Sequence, residues 1–284
     1  MRNVLKGADG GPLRVDVRTG SRPGETRPAV LICHGFKGFK DWGFFPVTAA
    51  RLARAGFAAV SFNFSGSGVS GDSSSVEGQG SGSAEFDELE RWAHQKPSAD
   101  LQDLATVADF ASSELGAPWL ALLGHSRGGA LAVLHAARDP RVRALVTWAA
   151  IDHFLRFSSA ELERWRATGR LDVVNLRTGQ VLPLYRDALD DVETHGEDLL
   201  NVISAAARVR APWLLVHGTN DATVPVETAL RLSKAAADSS RSELLLLDGA
   251  DHTFGIRHPW AGSTPEFDAV LDRTVGWVSG ANRI

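Results

Sequence analysis

A run of glycines around one serine constrains this chain more than any other feature in it. Gly124-His125-Ser126-Arg127-Gly128-Gly129 follows the short apolar run Trp119-Leu120-Ala121-Leu122-Leu123 and precedes the alanine-rich apolar stretch 130–137. The first reads as a buried strand and the second as a helix, so the serine falls in a tight strand-to-helix turn. Such a turn holds the serine in a strained backbone conformation with its hydroxyl projecting into a cleft. Side chains two residues before or after it would collide with the turn, and glycine occupies both places. The spacing is G-x-S-x-G, that of an exposed nucleophilic serine. Small residues around a serine also occur in ordinary turns; the flanking strand and helix set this one apart.

Two more pieces follow in order. Leu214-Leu215-Val216-His217-Gly218-Thr219-Asn220-Asp221 is an apolar strand running into a turn that carries an acid. Leu244-Leu245-Leu246-Leu247-Asp248-Gly249-Ala250-Asp251-His252 is a second strand, running into a turn that carries a histidine. The chemistry needs all three groups. A serine hydroxyl is a poor nucleophile at neutral pH until an imidazole takes its proton, and a carboxylate then fixes the imidazole tautomer and stabilises the imidazolium. Asp251 competes with Asp221 for the acid, but it adjoins His252 in sequence, and neighbouring side chains on a turn diverge. Asp221 is the expected partner.

The order Ser126, Asp221, His252 is that of the α/β-hydrolases, and the chain resembles that superfamily over nearly its whole length. The likeness extends to Cys33-His34-Gly35-Phe36-Lys37-Gly38, which ends the apolar strand 29–33 and looks like the family's HG oxyanion loop. The resemblance implies that the backbone N–H groups of Phe36 and Arg127 hold the oxyanion of a tetrahedral intermediate. One such donor is worth on the order of a hundredfold in rate.

Composition narrows the field. The chain of 284 residues is long enough for one large α/β domain, and its net charge of -4 offers no basic patch for nucleic acid. No apolar run approaches membrane-spanning length. Residues 1–15 carry glycines and charges where a signal peptide needs an apolar stretch. The single cysteine, Cys33, rules out an internal disulfide framework and suits a reducing compartment, so a cytoplasmic location is expected. Cys33 reads as a small buried strand residue. No H-E-x-x-H or clustered Cys/His spacing suggests a metal, and no cofactor is expected. Lys37 and Lys40 flank the HG loop and could attract an acidic substrate, though two solvated loop lysines are the simpler reading. His125 and His217 read as packing or hydrogen-bonding residues. Trp42, Phe44 and Phe45 could line an apolar pocket or simply fill the core.

Strands and helices alternate, which implies a mainly parallel sheet, eight-stranded by the family likeness, covered by helices on both faces. Strands are expected at 13–17 (antiparallel), 29–33, 58–64, 119–124, 144–148, 212–218 and 243–247, and helices at 45–54, 101–115, 130–137, 226–237 and 265–278. Residues 65–83 are rich in Gly and Ser and read as a long surface loop. Within them Gly66-Ser67-Gly68-Val69-Ser70-Gly71 matches G-x-G-x-x-G, but a dinucleotide site requires a helix to begin there, and serines and glycines follow instead.

Residues 152–208 interrupt the alternation. Ser158-Ser159-Ala160-Glu161 has the form of a capping box, residues 171–174 and 180–184 flank Arg177-Thr178-Gly179 as a hairpin, and 197–209 is amphipathic and reads as a helix. The segment reads as a lid inserted over the carboxyl edge of the sheet, with 1–151 and 209–284 forming the core. It is similar in placement and type to the lid of bacterial cinnamoyl and feruloyl esterases. Trp165, Leu182 and Tyr185 are its candidate substrate-binding residues. The expectation is a serine hydrolase of carboxylic esters, acting on a small molecule as a monomer or homodimer, with Ser126 as nucleophile, His252 as base and Asp221 as orienting acid. An amide or thioester hydrolase, or a non-catalytic binding protein on the same fold, are the alternatives.

Overall fold

The computed structural model describes residues 1–20, 26–70, 86–236 and 241–281. The chain begins with the hairpin of β1 (Arg2–Lys6) and β2 (Pro12–Arg18), then alternates β3 (Ala29–Cys33), α1 (Phe45–Arg54) and β4 (Ala58–Phe62). After α2 (Leu89–Ala93) and α3 (Pro97–Ser113) come β5 (Leu120–His125), α4 (Arg127–Ala136) and β6 (Val142–Trp148). An insertion then holds α5 (Ser159–Thr168), the hairpin of β7 (Arg170–Val174) and β8 (Val181–Tyr185), α6 (Arg186–His195) and α7 (Val202–Ala206). The core resumes with β9 (Trp213–Gly218), α8 (Val226–Ala235), β10 (Ser242–Leu247) and α9 (Pro265–Gly280).

The eight core strands form one sheet in the order β1-β2-β4-β3-β5-β6-β9-β10. Pairing is antiparallel for β1 with β2 and for β2 with β4, and parallel from β4 through β10. Fully buried parallel strands must be apolar on both faces, and β3 and β5 are. Alternation sends Leu31, Leu120 and Leu122 into one core, shared with Leu104 and Val107 of α3 and Leu131 and Leu134 of α4. It sends Ile32, Ala121 and Leu123 into the other, shared with Leu52 of α1 and Phe267 and Val270 of α9. The result is a mainly parallel sheet covered by helices on both faces, as expected. No described helix is long and apolar enough to cross a membrane.

The insertion has a small core of its own, in which Trp165, Leu171, Leu182, Leu184 and Leu189 pack against Phe39, Phe86 and Trp92. Its first helix opens as a capping box: Ser158 Oγ accepts the Glu161 N–H at 3.3 Å, and the Ser158 N–H donates to Glu161 Oε2 at 2.8 Å. The expected helix over 197–209 is broken. Asn201 accepts the Ser204 N–H at 2.9 Å and restarts the chain as the short α7, an Asn cap that the amphipathic pattern hides. Helices α2 and α6 and the edge strand β1 were not expected. In β1, Val4 is largely exposed and only Leu5 packs inward as an apolar residue, so no apolar alternation advertises the strand. Of the expected glycine- and serine-rich loop, residues 71–83 lie outside the described residues. The preceding Ser65–Ser67 form a single 3-10 turn.

Candidate active site

Ser126 sits between the end of β5 and the start of α4 with φ 55° and ψ −120°, a region that a serine occupies only when its surroundings force it. The forcing contacts are visible. The Ser126 N–H donates to the Trp148 carbonyl at 2.8 Å, and its own carbonyl accepts from Gly129 at 2.9 Å. A Cβ on Gly124 would lie 2.3 Å from the Gly128 carbonyl oxygen, and one on Gly128 would lie 2.3 Å from that of Cys33. Glycine is required at both positions by close approach. Gly35 is nearly as constrained, since a Cβ there would stand 3.0 Å from Ser126 Cβ. The HG loop therefore lies directly against the serine.

The acid and the histidine come from the next two strand ends. Beyond β9, Asp221 Oδ1 accepts the N–H groups of Thr223 and Val224, both at 2.8 Å. Its Oδ2 accepts from His252 Nδ1 at 2.7 Å, and its side chain is wholly buried. Burial works against the charge, but the hydrogen bond and charge of His252 and the two backbone donors outweigh it and hold the carboxyl below its usual range. Asp251 is engaged elsewhere, capping its own turn by accepting from Thr253 N at 2.9 Å and Gly255 N at 2.8 Å. The loops are locked together at Gly218, where a Cβ would meet the Ala250 carbonyl oxygen at 2.1 Å.

His125 contributes more than packing. Its Nε2 lies 2.9 Å from the His252 carbonyl and its ring 4.7 Å from that of His252, so it fixes the backbone of the histidine loop. Donation to a carbonyl requires the proton on Nε2, and burial pushes the His125 pKa down to about 3. His34 does the same for the HG loop: its Nδ1 faces the Gly35 carbonyl at 3.0 Å, and its Nε2 accepts the Phe64 N–H at 3.3 Å. Burial lowers its pKa to about 4. His217 Nε2 bonds the Val224 carbonyl at 2.8 Å and steadies the acid loop.

Ser126 opens into a cavity of about 300 Å³. Its walls are Phe36, Lys37, Gln95 and Arg127 on the core side and Phe154, Leu155, Phe157, Trp165, Val173, Leu184, Ala188 and Val192 from the insertion. A larger cavity of about 520 Å³ lies at the other end of the strands, near Val142 and Pro212, away from these groups. Among the described residues no backbone acceptor is bonded to the N–H of Phe36 or of Arg127. The Arg127 side chain is pinned by Asp100 and Gln95, and burial raises the Asp100 pKa, to about 7, against the pull of Arg127. Sequence reasoning missed this anchor because Asp100 and Gln95 lie some thirty residues upstream, with no motif around them. Among the described residues no group of three His, Cys, Asp or Glu side chains could hold a metal ion.

The three lid residues expected to meet substrate separate in space. Trp165 lines the cavity, and its buried indole N–H has no acceptor. Leu182 and Tyr185 do not line it. Leu182 shares a face of β8 with Leu184 but is completely covered by the insertion's own core, whereas Tyr185, of opposite parity, meets the His94 ring edge-on at 5.0 Å. Lys40 is also removed from consideration: it is buried and bonds Asp16 at 2.7 Å and Asp41 at 2.6 Å.

Comparison with known proteins agrees with this architecture. A profile of the serine aminopeptidase, S33 family matches residues 24–156. A 2,6-dihydropseudooxynicotine hydrolase from Paenarthrobacter nicotinovorans is 25% identical over 235 residues, 80% of this chain and 53% of the relative. The chain thus spans about half the length of that relative. Among solved structures, Est1E from Butyrivibrio proteoclasticus with bound ferulic acid superimposes with a TM-score of 0.72 at 18% identity, covering 100% of both chains. A monoacylglycerol lipase from Paleococcus ferrophilus gives 0.64 at 18% identity, covering 95% of this chain and 99% of the other. The chain has the α/β-hydrolase fold.

Proposed function

We propose that this protein is a serine hydrolase that cleaves carboxylic esters through an acyl-enzyme. The observation that carries the reading is a strained, glycine-framed Ser126 opening into a cavity, with its neighbour His125 packed against His252, whose Nδ1 is bonded to the buried Asp221. Residues 152–208 act as a lid that shapes that cavity. In the first half-reaction Ser126 Oγ attacks the acyl carbon while its proton passes to Nε2 of His252. Asp221 accepts from Nδ1–H throughout and stabilises the imidazolium without taking its proton. The N–H groups of Phe36 and Arg127 donate to the oxyanion. Collapse breaks the bond to the alcohol oxygen, which leaves with the proton from Nε2. Water then attacks the acyl-enzyme, gives its proton to Nε2, and the acid departs as Ser126 recovers its own.

The match to a serine aminopeptidase family favours a second reading, in which the same groups cleave an amide or thioester. A panel of p-nitrophenyl esters, a hydroxycinnamate ester, an acyl thioester and an aminoacyl anilide separates the two. The expected outcome is highest kcat/KM on the oxygen esters, loss of nearly all turnover in Ser126→Ala, and a loss on the order of a thousandfold in Asp221→Asn. Faster cleavage of the anilide or thioester selects the second reading, and full activity in Ser126→Ala removes both.

A further inference from the structure

The ionisable side chains that line the cavity are all of one sign. They are Lys37, Arg127 and Arg156, and no Asp or Glu joins them. Arg127 is held by Asp100. The other two have no carboxylate partner among the described residues. Lys37 Nζ donates only to the Val174 carbonyl, at 3.3 Å, and stands 5.9 Å over the Phe36 ring. Burial lowers its pKa, as expected of an ammonium stripped of water without a counter-ion. Arg156 donates to the Thr223 carbonyl, and burial lowers its pKa against the attraction of Asp221 and Asp152, neither of which it bonds. The nearby acids are spoken for: both Asp221 oxygens accept from His252, Thr223 and Val224, and Asp152 bonds Arg231 at 2.6 Å and His153 at 2.6 Å.

The two cations approach from opposite parts of the fold. Lys37 belongs to the HG loop and reaches toward the end of β7, whereas Arg156 precedes α5 and reaches toward the acid loop. Between them lie the aromatic and aliphatic walls of the cavity. A cavity of this kind offers hydrogen-bond donors and positive charge but no negative side chain. A neutral substrate would leave both cations without a bonded carboxylate, and an anion would supply one.

We infer that the preferred substrate is an ester whose non-reacting part carries a carboxylate, received by Lys37 and Arg156. This rests on the ester hydrolase reading above and adds the substrate's charge to it. The anion is drawn toward the cavity by Coulomb attraction across a partly desolvated rim, and its apolar spacer fills the space under the lid. Salt screens such charges, so the preference is largest at low ionic strength.

The experiment compares substrates with identical scissile bonds. One pair is the mono-p-nitrophenyl ester of suberic acid and that of suberamic acid. The other carries the charge on the alcohol: the acetates of 4-(hydroxymethyl)benzoate and 4-(hydroxymethyl)benzamide. In at least one pair the carboxylate is expected to exceed the carboxamide by about tenfold in kcat/KM at low salt. Added sodium chloride should shrink that ratio, and the double variant Lys37→Met, Arg156→Met should bring it near unity. A wild-type ratio at or below one in both pairs overturns the inference while leaving ester hydrolysis standing, as does a preference that the double variant does not move. Failure to hydrolyse the carboxamides and p-nitrophenyl acetate as well, with no fluorophosphonate labelling of Ser126, removes the underlying reading and this one with it.

Discussion

At the scale of single residues, the candidate site is braced by side chains outside the lining of its cavity. His34 accepts from Phe64 N–H through Nε2, so that nitrogen must be unprotonated for the HG loop to hold its shape. Its pKa in the fold, about 4, lies below the ordinary histidine value of 6.5, and that of His125, about 3, does too. The sign follows directly. The unfolded chain takes up these protons as pH falls below the ordinary value, and the folded chain does not. The stability they contribute is therefore complete above that value and is lost on acidification toward the folded values. Between pH 7 and pH 5 the loss should be about 2 kcal/mol for each histidine. Urea unfolding at those two pH values checks it. His34→Asn, which carries no titratable ring, should show a shallower decline than the wild type, and an equal decline would mean that His34 ionises freely in the folded protein.

At the scale of elements, the insertion is tied to the core through the segment that carries α2 and the start of α3. Gln180 bonds both the N–H and the carbonyl of Phe86, at 3.0 and 2.7 Å, Asp187 pairs with His94 and Lys96 at 2.9 and 3.1 Å, and Asp191 accepts the Ser98 N–H at 3.0 Å. On the proposed reading, a lid anchored in this way shapes the cavity and stands apart from the reacting groups. Trp165→Ala should lower kcat/KM for bulky aromatic esters by roughly tenfold to a hundredfold, the scale of one well-filled pocket position. The loss on p-nitrophenyl acetate should be much smaller. Steady-state kinetics on both substrates decides this, and equal losses would mean that Trp165 supports the architecture of the site itself. The elements themselves were legible in the sequence where periodicity was strong. Strands β3, β5 and β9 and the capping box at Ser158 read correctly because continuous apolar runs and local capping chemistry announce them. Helix α6 went unread because its buried face is only Ala188, Leu189 and Val192, set among acidic residues. The bond from His252 to Asp221 could be anticipated from chain order, whereas the cation set of the cavity could not. Lys37 and Arg156 come to line one cavity only through the fold, and Lys40, their equal in sequence, is neutralised by Asp16 and Asp41.

At the scale of the whole molecule, the parallel strands bring distant segments to one edge. Ser126 follows β5, the HG loop follows β3, Asp221 follows β9 and His252 follows β10. Pairing β3 with β5 sets the loop beside the serine, and pairing β9 with β10 sets the acid beside the histidine. The central claim is that these four strand ends make Ser126, and no other residue, the nucleophile. Fluorophosphonates form a stable bond to an activated serine. Wild-type protein exposed to such a probe, digested and mapped by mass spectrometry, should carry one adduct, on the peptide containing Ser126, with activity lost in proportion to labelling. His252→Ala should take up the probe far more slowly. An adduct on a different serine, or full esterase activity surviving complete labelling of Ser126, would contradict the account.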